Sequence, residues 1–390
     1  MANNDALEPG IDFEFTEEMN LLKKTVRQFA ETEIKPNVMK FDEAQEFPTE
    51  VVKKIGDLGF LGATIPSELG GAGLTAVESA IIMEEISRVD PSVALIIAGH
   101  SGLCLQHISM FGNEDQKKRY LPDLATGKKI GSWCLTEPGA GSDASGMTST
   151  AVLEGDSYIL NGTKTFITNG THASTYVVMA KTDPTKGNKG ISALIVERDM
   201  KGVSVGKKEN KMGMRASDTA TMNFEDVKVP KGNLLGQEGE GYKQALSVLD
   251  SGRIGIAALC VGLAQGAFEA ALKYSKERKA FGKLISEFQG IQFKLADMAT
   301  DIEAARLLTY RSAMAKAKGE NINLIASEAK LYASEIAQRV TTEAIQIHGG
   351  YGFIKDFPVE KFYRDVKILT IGEGTSEVQK MVIAKNLLRS

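Results

Sequence analysis

The spacing of apolar residues changes period twice along this 390-residue chain, and no other feature limits the fold as much. Up to about residue 128 the chain reads as helical. Thr75-Ala76-Val77-Glu78 is a capping box opening a helix that carries Ala80, Ile81 and Ile82. From about 129 to 240 the period falls to two. Ser174–Met179 and Ile191–Val196 read as strands, and Asn161-Gly162 and Asn169-Gly170 as hairpin or turn signals. Beyond 241 long helical segments return. Ile291, Leu295, Met298, Ile302 and Ala305 form one bundle seam. Ile325, Ala329, Tyr332, Ile336 and Val340 form another, which stops at Gly349-Gly350. The order predicts an α+β chain: an N-terminal helical domain over 1–128, a middle antiparallel β domain over 129–240 and a C-terminal helical bundle over 241–390.

Trp133-Cys134-Leu135-Thr136-Glu137-Pro138-Gly139-Ala140-Gly141-Ser142-Asp143-Ala144 ends in a G-x-G-x-x-A match, as does Gly71–Ala76. A dinucleotide turn must open a helix whose N-terminus meets the pyrophosphate. After Ala144 the chain leads to more strand, and Gly71–Ala76 reads as a loop feeding a capped helix, so neither match is a Rossmann turn. The net charge of -4 offers no positive face for nucleic acid. No apolar run approaches the roughly 18 residues of a membrane span. The start, MANNDALEPGIDFEF, has neither an apolar signal core nor an arginine-rich transit character. Cys104, Cys134 and Cys260 form no C-x-x-C pair and read as small buried residues of a reducing compartment. His100, His107, His172 and His348 show no ligand spacing, so no metal site is expected. Trp133 reads as β-domain core, and Lys207–Lys211 as a solvated turn.

The segment most suggestive of chemistry is Ile371-Gly372-Glu373-Gly374-Thr375-Ser376-Glu377-Val378-Gln379. Ser376 with Gln379 predicts a capping box, so a final helix starts there. Glu373 precedes it between two glycines, which let the backbone turn tightly and approach another group. On spacing alone a solvated turn glutamate is the simpler reading.

IGEGTSEVQ resembles the C-terminal motif of the acyl-CoA dehydrogenases. WCLTEPGAGSD and Lys164–Gly170 resemble that family's flavin contacts. Glu277-Arg278-Lys279-Ala280-Phe281-Gly282, Gln346-Ile347-His348-Gly349-Gly350 and Tyr363-Arg364-Asp365 also match, in family order, from about 13 to 389. The resemblance is closest to the short-chain, butyryl-type branch. It implies a β-barrel-like middle domain, a C-terminal four-helix bundle, FAD, a homotetramer, an acyl-CoA substrate in fatty-acid β-oxidation, and electron-transfer flavoprotein as partner. Neither nucleic acid nor membrane is expected as a partner. The setting would be the bacterial cytoplasm, or the mitochondrial matrix for a processed eukaryotic chain.

By the same resemblance, Glu373 is the base that takes the α-proton, and hydride goes to flavin N5. Trp133, Leu135, Thr136, Gly141 and Ser142 would hold the flavin, with Phe166, Ile167 and Thr168 against its ring. Arg278, Phe281, Gln289, Gln346, Gly349 and Gly350 would reach the adenosine diphosphate half of FAD bound mainly by a neighbouring subunit. Thr375, Ser376 and Glu377 would also touch FAD. Ser142, Asp250, Arg253 and Gly374 would contact the thioester. Some relatives carry the base at the position matching Gly252; here that position is glycine while Glu373 is present.

An α-proton beside a thioester is a very weak acid. Its removal requires donors at the carbonyl and a carboxylate whose pKa is raised by a dry pocket. Two departures stand out. Gly372 replaces a frequent tyrosine, which implies room for α-branched acyl groups, and Phe166 replaces a frequent tryptophan. Three other readings share the fold. Acyl-CoA oxidases are often longer, nitroalkane-oxidising relatives prefer aspartate as base, and a non-catalytic assembly module need not keep Glu373 or the flavin motifs.

Overall fold

The computed structural model describes residues 14–389. The reading of the N-terminal stretch falls largely on residues 1–13, outside the described ones.

The first segment is helical: α1 (Glu17–Phe29), α2 (Val38–Ala44), α3 (Thr49–Asp57), α4 (Ala76–Ser87), α5 (Pro91–Ile97), α6 (Gln106–Phe111) and α7 (Glu114–Ala125). Thr75 and Glu78 form the capping box ahead of α4. The chain between α5 and α6, Ala98–Leu105, winds as a π-helix, a rare geometry found mostly at functional sites.

The middle segment holds β1 (Gly131–Cys134), β2 (Thr150–Glu154), β3 (Ser157–Thr168), β4 (Thr175–Lys181), β5 (Ile191–Glu197), β6 (Val203–Lys208), β7 (Thr219–Pro230) and β8 (Leu234–Leu235). The sheet runs β6-β7-β3-β2-β4-β5-β8, with β1 also on β4. Pairing is antiparallel except on β4, where β1 and the start of β2 run parallel to it. Asn161-Gly162 is not a turn. It lies inside β3 at a register shift between Leu160 and Gly162. A Cβ at Gly162 would meet Ser149 Oγ at 2.1 Å, so the glycine allows close approach at a bulge. Asn169-Gly170 does form a turn. Lys207 and Lys208 belong to β6 rather than to a solvated turn, and Lys211 donates to Ser217 O at 2.7 Å.

The last segment holds α8 (Gly241–Glu277), a short hairpin of β9 (Lys279–Ala280) and β10 (Lys283–Leu284), α9 (Gln289–Ala317), α10 (Asn323–His348), α11 (Val359–Val366) and α12 (Ser376–Leu387). Helices α8, α9 and α10 pack on one another, and α12 packs on α10.

The two helical segments share one core. Helix α4 lies against α1, α8 and α9, so Ile81, Ile82 and Ile86 are at most 1% exposed. Burying each such side chain contributes about 1.5–3 kcal/mol. Its two buried acids are paired: Glu84 with Arg306 and Tyr310, Glu85 with Arg27 and Arg88. Two stretches, Pro91–Phe111 and Gly241–Glu277, are long and apolar enough by length and composition to cross a membrane, which corrects the expectation that no such run exists. Most of each apolar window, 61% and 72%, is buried inside the protein, as core helices are.

Candidate active site

Glu373 sits in the loop between the 3-10 turn Lys367–Thr370 and α12. Its own φ is 52°, a left-handed conformation uncommon outside glycine. Three bonds hold that loop. Gln379 Nε2 donates to Glu373 O at 3.3 Å and to Gly374 O at 3.0 Å, and Lys330 Nζ reaches Gly374 O at 2.8 Å. Helix α12 is capped by Thr375, whose Oγ1 accepts from Val378 N. The expected Ser376–Gln379 box is therefore corrected. Ser376 Oγ bonds Glu335 Oε1 at 2.5 Å, and Gln379 reaches back to the loop, as donor to Glu373 O and as second donor, beside Lys330, to Gly374 O.

The Glu373 side chain lies over α8. A Cβ built on Gly252 would stand 2.4 Å from Glu373 Oε2 and 3.3 Å from Leu103 Cδ2. Gly252 and Glu373, 121 residues apart in the chain, thus meet at one point in space. Oε2 is buried and has no hydrogen-bond partner among the described residues. Burial pushes the carboxyl up to about 7, with Lys330 and Arg253 pulling the other way. A carboxylate so tuned ionises near neutral pH and can accept a proton there.

Arg253 and Asp250 are locked beneath it. Arg253 Nη1 donates to Asp250 Oδ1 at 2.5 Å and Ser327 Oγ at 3.1 Å, while its buried Nε has no partner. Asn323 Nδ2 donates to both Asp250 oxygens, at 3.0 and 2.9 Å, and Asn386 Nδ2 to Asn323 Oδ1 at 2.6 Å. The network ties α8, α10 and α12 together.

The π-helical stretch links this point to the sheet. Gly99 packs so closely on β3 that a Cβ there would be 2.9 Å from Thr168 Cγ2. Ala98, Ser101 and Gly102 share with Gly252 the lining of a narrow cleft. Beside Thr168, Phe166 is 65% exposed with φ 57°, an aromatic ring held out in a strained conformation. Ile167 points inward, 2% exposed. The Trp133–Ser142 segment lies alongside. Thr165 N donates to Thr136 O at 2.9 Å, and buried Lys164 bonds Leu135 O at 3.1 Å and Glu137 Oε1 at 2.8 Å. Glu137 accepts from Thr148 N and Ser149 N, and these bonds with Lys164 hold its carboxyl down at about 2 against the cost of burial. Past that anchor Gly141 and Ser142 are exposed, and a Cβ at Gly141 would meet no atom within 4 Å. An exposed ring, an open glycine turn and the buried, unpartnered Asn169 Oδ1 fit a flat cofactor laid on this face.

The remaining predicted residues are elsewhere. Arg278, Gly349 and Gly350 line a second cleft with Tyr274, His348 and Tyr351, which shares no lining residue with the first. Arg278 stands 5.6 Å from the Tyr351 ring centre. Phe281, at 95% exposure, Gln289 and Gln346 are on the surface outside that lining. Glu377 is exposed in the first turn of α12. Arg278, Phe281, Gln289, Gln346, Gly349 and Gly350 all lie outside the lining of the cleft at Gly252.

Sequence reasoning missed Lys330 and Gln379. Lys330 carried a signal, because it shares the helix face of Ala326, Ala329, Ala333 and Ala337, where a lysine must find a partner. His100 and His107 are buried inside the protein, His348 lines the second cleft, and among the described residues no cluster could hold a metal. The three cysteines are free and buried.

Three family profiles match: the acyl-CoA dehydrogenase N-terminal domain over 16–128, middle domain over 132–227 and C-terminal domain over 239–388. The short-chain-specific acyl-CoA dehydrogenase of Clostridium acetobutylicum is 49% identical over 379 residues, covering 97% of this chain and 100% of its own. Subunit CarC of the caffeyl-CoA reductase-Etf complex of Acetobacterium woodii is 47% identical over 376 residues, covering 96% and 99%. The structure of butyryl-CoA dehydrogenase from Megasphaera elsdenii superposes with a TM-score of 0.96 at 44% identity, covering 97% and 100%. Matched over nearly its whole length in sequence and in shape, this chain belongs to the acyl-CoA dehydrogenase family.

Proposed function

We propose that the protein converts a short-chain acyl-CoA to its trans-2-enoyl thioester, with Glu373 as the base. One observation carries this: a buried, unpartnered carboxylate oxygen whose group ionises near pH 7, beside Gly252 in the wall of a cleft. Glu373 Oε2 takes the proton from C2, and the electron pair of that C–H bond becomes the C2–C3 double bond. FAD, when bound, supplies the acceptor for the hydride that leaves C3. The backbone N–H of Glu373 has no acceptor among the described residues, which leaves it free for the thioester carbonyl. The strained φ of Glu373 turns this N–H and its own carboxylate to one ligand, and Lys330 with Gln379 keeps the loop in that state. Phe166 and Thr168 on β3, with the open Gly141-Ser142 turn, would hold the flavin ring. Arg278, Gly349 and Gly350 would meet the adenosine half bound to a neighbouring subunit in a homotetramer, whose contacts would cover exposed Phe281 and Phe353.

Electrons then pass to electron-transfer flavoprotein. The same carboxyl, half-protonated at neutral pH, can return a proton to C2, so the reductase named among the relatives supports a second reading in which the reverse reaction dominates. Domain borders near 128 and 240 follow the change from helix to sheet and back. Three free buried cysteines support a reducing compartment, the bacterial cytoplasm or mitochondrial matrix.

The test is Glu373→Gln. It should keep FAD and CoA-thioester binding while anaerobic flavin bleaching by butyryl-CoA slows by at least about a thousandfold. Bleaching at the wild-type rate would remove Glu373 from the role.

A further inference from the structure

The cleft beside Gly252 holds a charged group that the reaction leaves unused. Lys316, in the last turn of α9, is the single charged side chain in its lining. The neighbours there are uncharged, among them Ala80, Met83, Ile97, Ser101 and the amide of Gln106. Lys316 has no ion pair or hydrogen bond among the described residues. The end of α9 offers a favourable dipole, but no carbonyl lies in bonding range. Its burial, unopposed by any partner, pushes the ammonium down to about 8. A shielded cation without a counter-ion is unfavourable in the free protein and is relieved by an anion entering the cleft.

The position of Lys316 relative to the chemistry says which part of a ligand it meets. C2 of the thioester must stand at Glu373, whose Oε2 lies against Gly252 in the wall of this cleft. On that reading the acyl chain after C3 would enter this cleft, whose lining includes Lys316. This rests on the function proposed above. We propose that Lys316 reads the far end of the acyl group and selects thioesters that carry a carboxylate there. The lining contributes no acidic side chain, so a ligand carboxylate completes the pair inside a poorly solvated space, where a charge-assisted bond is strong.

The test uses FAD-loaded enzyme and thioesters paired by length: butyryl- with succinyl-CoA, pentanoyl- with glutaryl-CoA, hexanoyl- with adipyl-CoA. Calorimetry on the Glu373→Gln form measures binding, and anaerobic bleaching measures turnover by the parent form. At one length the carboxylated partner should bind at least about tenfold more tightly. Adding Lys316→Met should reduce that preference at least tenfold, and Lys316→Arg should keep it. An apolar partner favoured at every length, by the same ratio with and without Lys316, would overturn the proposal. So would a 6-hydroxyhexanoyl thioester that binds as well as adipyl-CoA, because the charge would then count for nothing. Bleaching by none of the six would count against the proposed function, while the calorimetry would still judge Lys316.

Discussion

A carboxyl that ionises near neutrality inside a folded chain works against the fold that holds it. Glu373 ionises at about 7 when folded, against about 4.5 when exposed. Between those values the folded state binds the extra proton, so stability falls as pH rises and is lowest above 7. The full difference amounts to about 3 kcal/mol. Glu373→Gln should therefore stabilise the apoprotein by about 2–3 kcal/mol at pH 8 and leave it unchanged near pH 4, read by urea unfolding. In the wild-type holoenzyme the same ionisation should make flavin reduction by butyryl-CoA rise with pH through about 7. One residue earlier, a Cβ on Gly372 would touch nothing nearer than Ile368 O at 3.5 Å, so there is room for a side chain. Gly372→Tyr should fold normally and lower kcat/KM for 2-methyl-branched thioesters by about tenfold relative to butyryl-CoA, a steric loss of about 1.4 kcal/mol. That idea fails if wild-type enzyme already prefers butyryl-CoA over every branched thioester.

At the scale of elements, the loop ahead of α12 is held by two side chains that do different things. Lys330 binds Gly374 O and also places a positive charge near Glu373; Gln379 binds the same carbonyl and carries no charge. Lys330→Met should move the pH dependence of flavin reduction to higher pH, because the charge that lowers the Glu373 pKa is gone, and should cost about 1–2 kcal/mol of stability. Gln379→Leu should slow reduction with no shift of the profile, since only the loop's geometry suffers. Equal shifts in both variants would show that Lys330 acts by position alone.

The same loop marks how far the sequence could be read. Glu373 between glycines and the start of α12 were legible, because turn residues and caps act locally. The identity of the cap was not: Thr375 and Ser376 are both good caps, and the choice is decided by Glu335, which lies 41 residues away and takes Ser376. The apolar pattern through Ile325 and Tyr332 runs slightly off the true centre of the buried α10 face, Ala326, Ala329, Ala333 and Ala337, because large apolar residues outweigh alanine in a pattern although alanines are what let α8 and α10 approach. The Asn161-Gly162 bulge looks like a turn in the sequence because both need the same residues locally, and only the partner strand tells them apart.

At the scale of the whole molecule, the three segments meet at two histidines one after the other along the chain. His100, in the π-helical stretch, accepts Gly131 N at Nδ1 (2.8 Å) and meets Leu124 O with Nε2 (3.0 Å), joining β1 to the end of α7. His107, on α6, accepts Trp133 Nε1 at Nδ1 (2.9 Å) and meets Gln244 Oε1 with Nε2 (3.0 Å), joining β1 to α8. In each ring the Nδ1 lone pair is an acceptor, so a second proton would set two N–H groups against each other. Burial reinforces this and pushes both down to about 4. Their folded values lie below the ordinary 6.5, so the unfolded chain takes up two protons that the native one refuses, and stability is lost as pH falls from 6.5 toward 4. Glu373 opposes them by one proton over 4.5 to 7. Between pH 5 and 6, replacing Glu373 by Gln should steepen the fall in unfolding free energy by about 1.4 kcal/mol per pH unit, and replacing His107 by Gln should flatten it by the same amount. Trp133, the only tryptophan, is bonded to His107 and reports the transition by fluorescence during urea titration. If His107→Gln leaves the slope unchanged, the junction between the sheet and α8 is not where the acid sensitivity resides, and the neutral histidine pair does not hold the segments together.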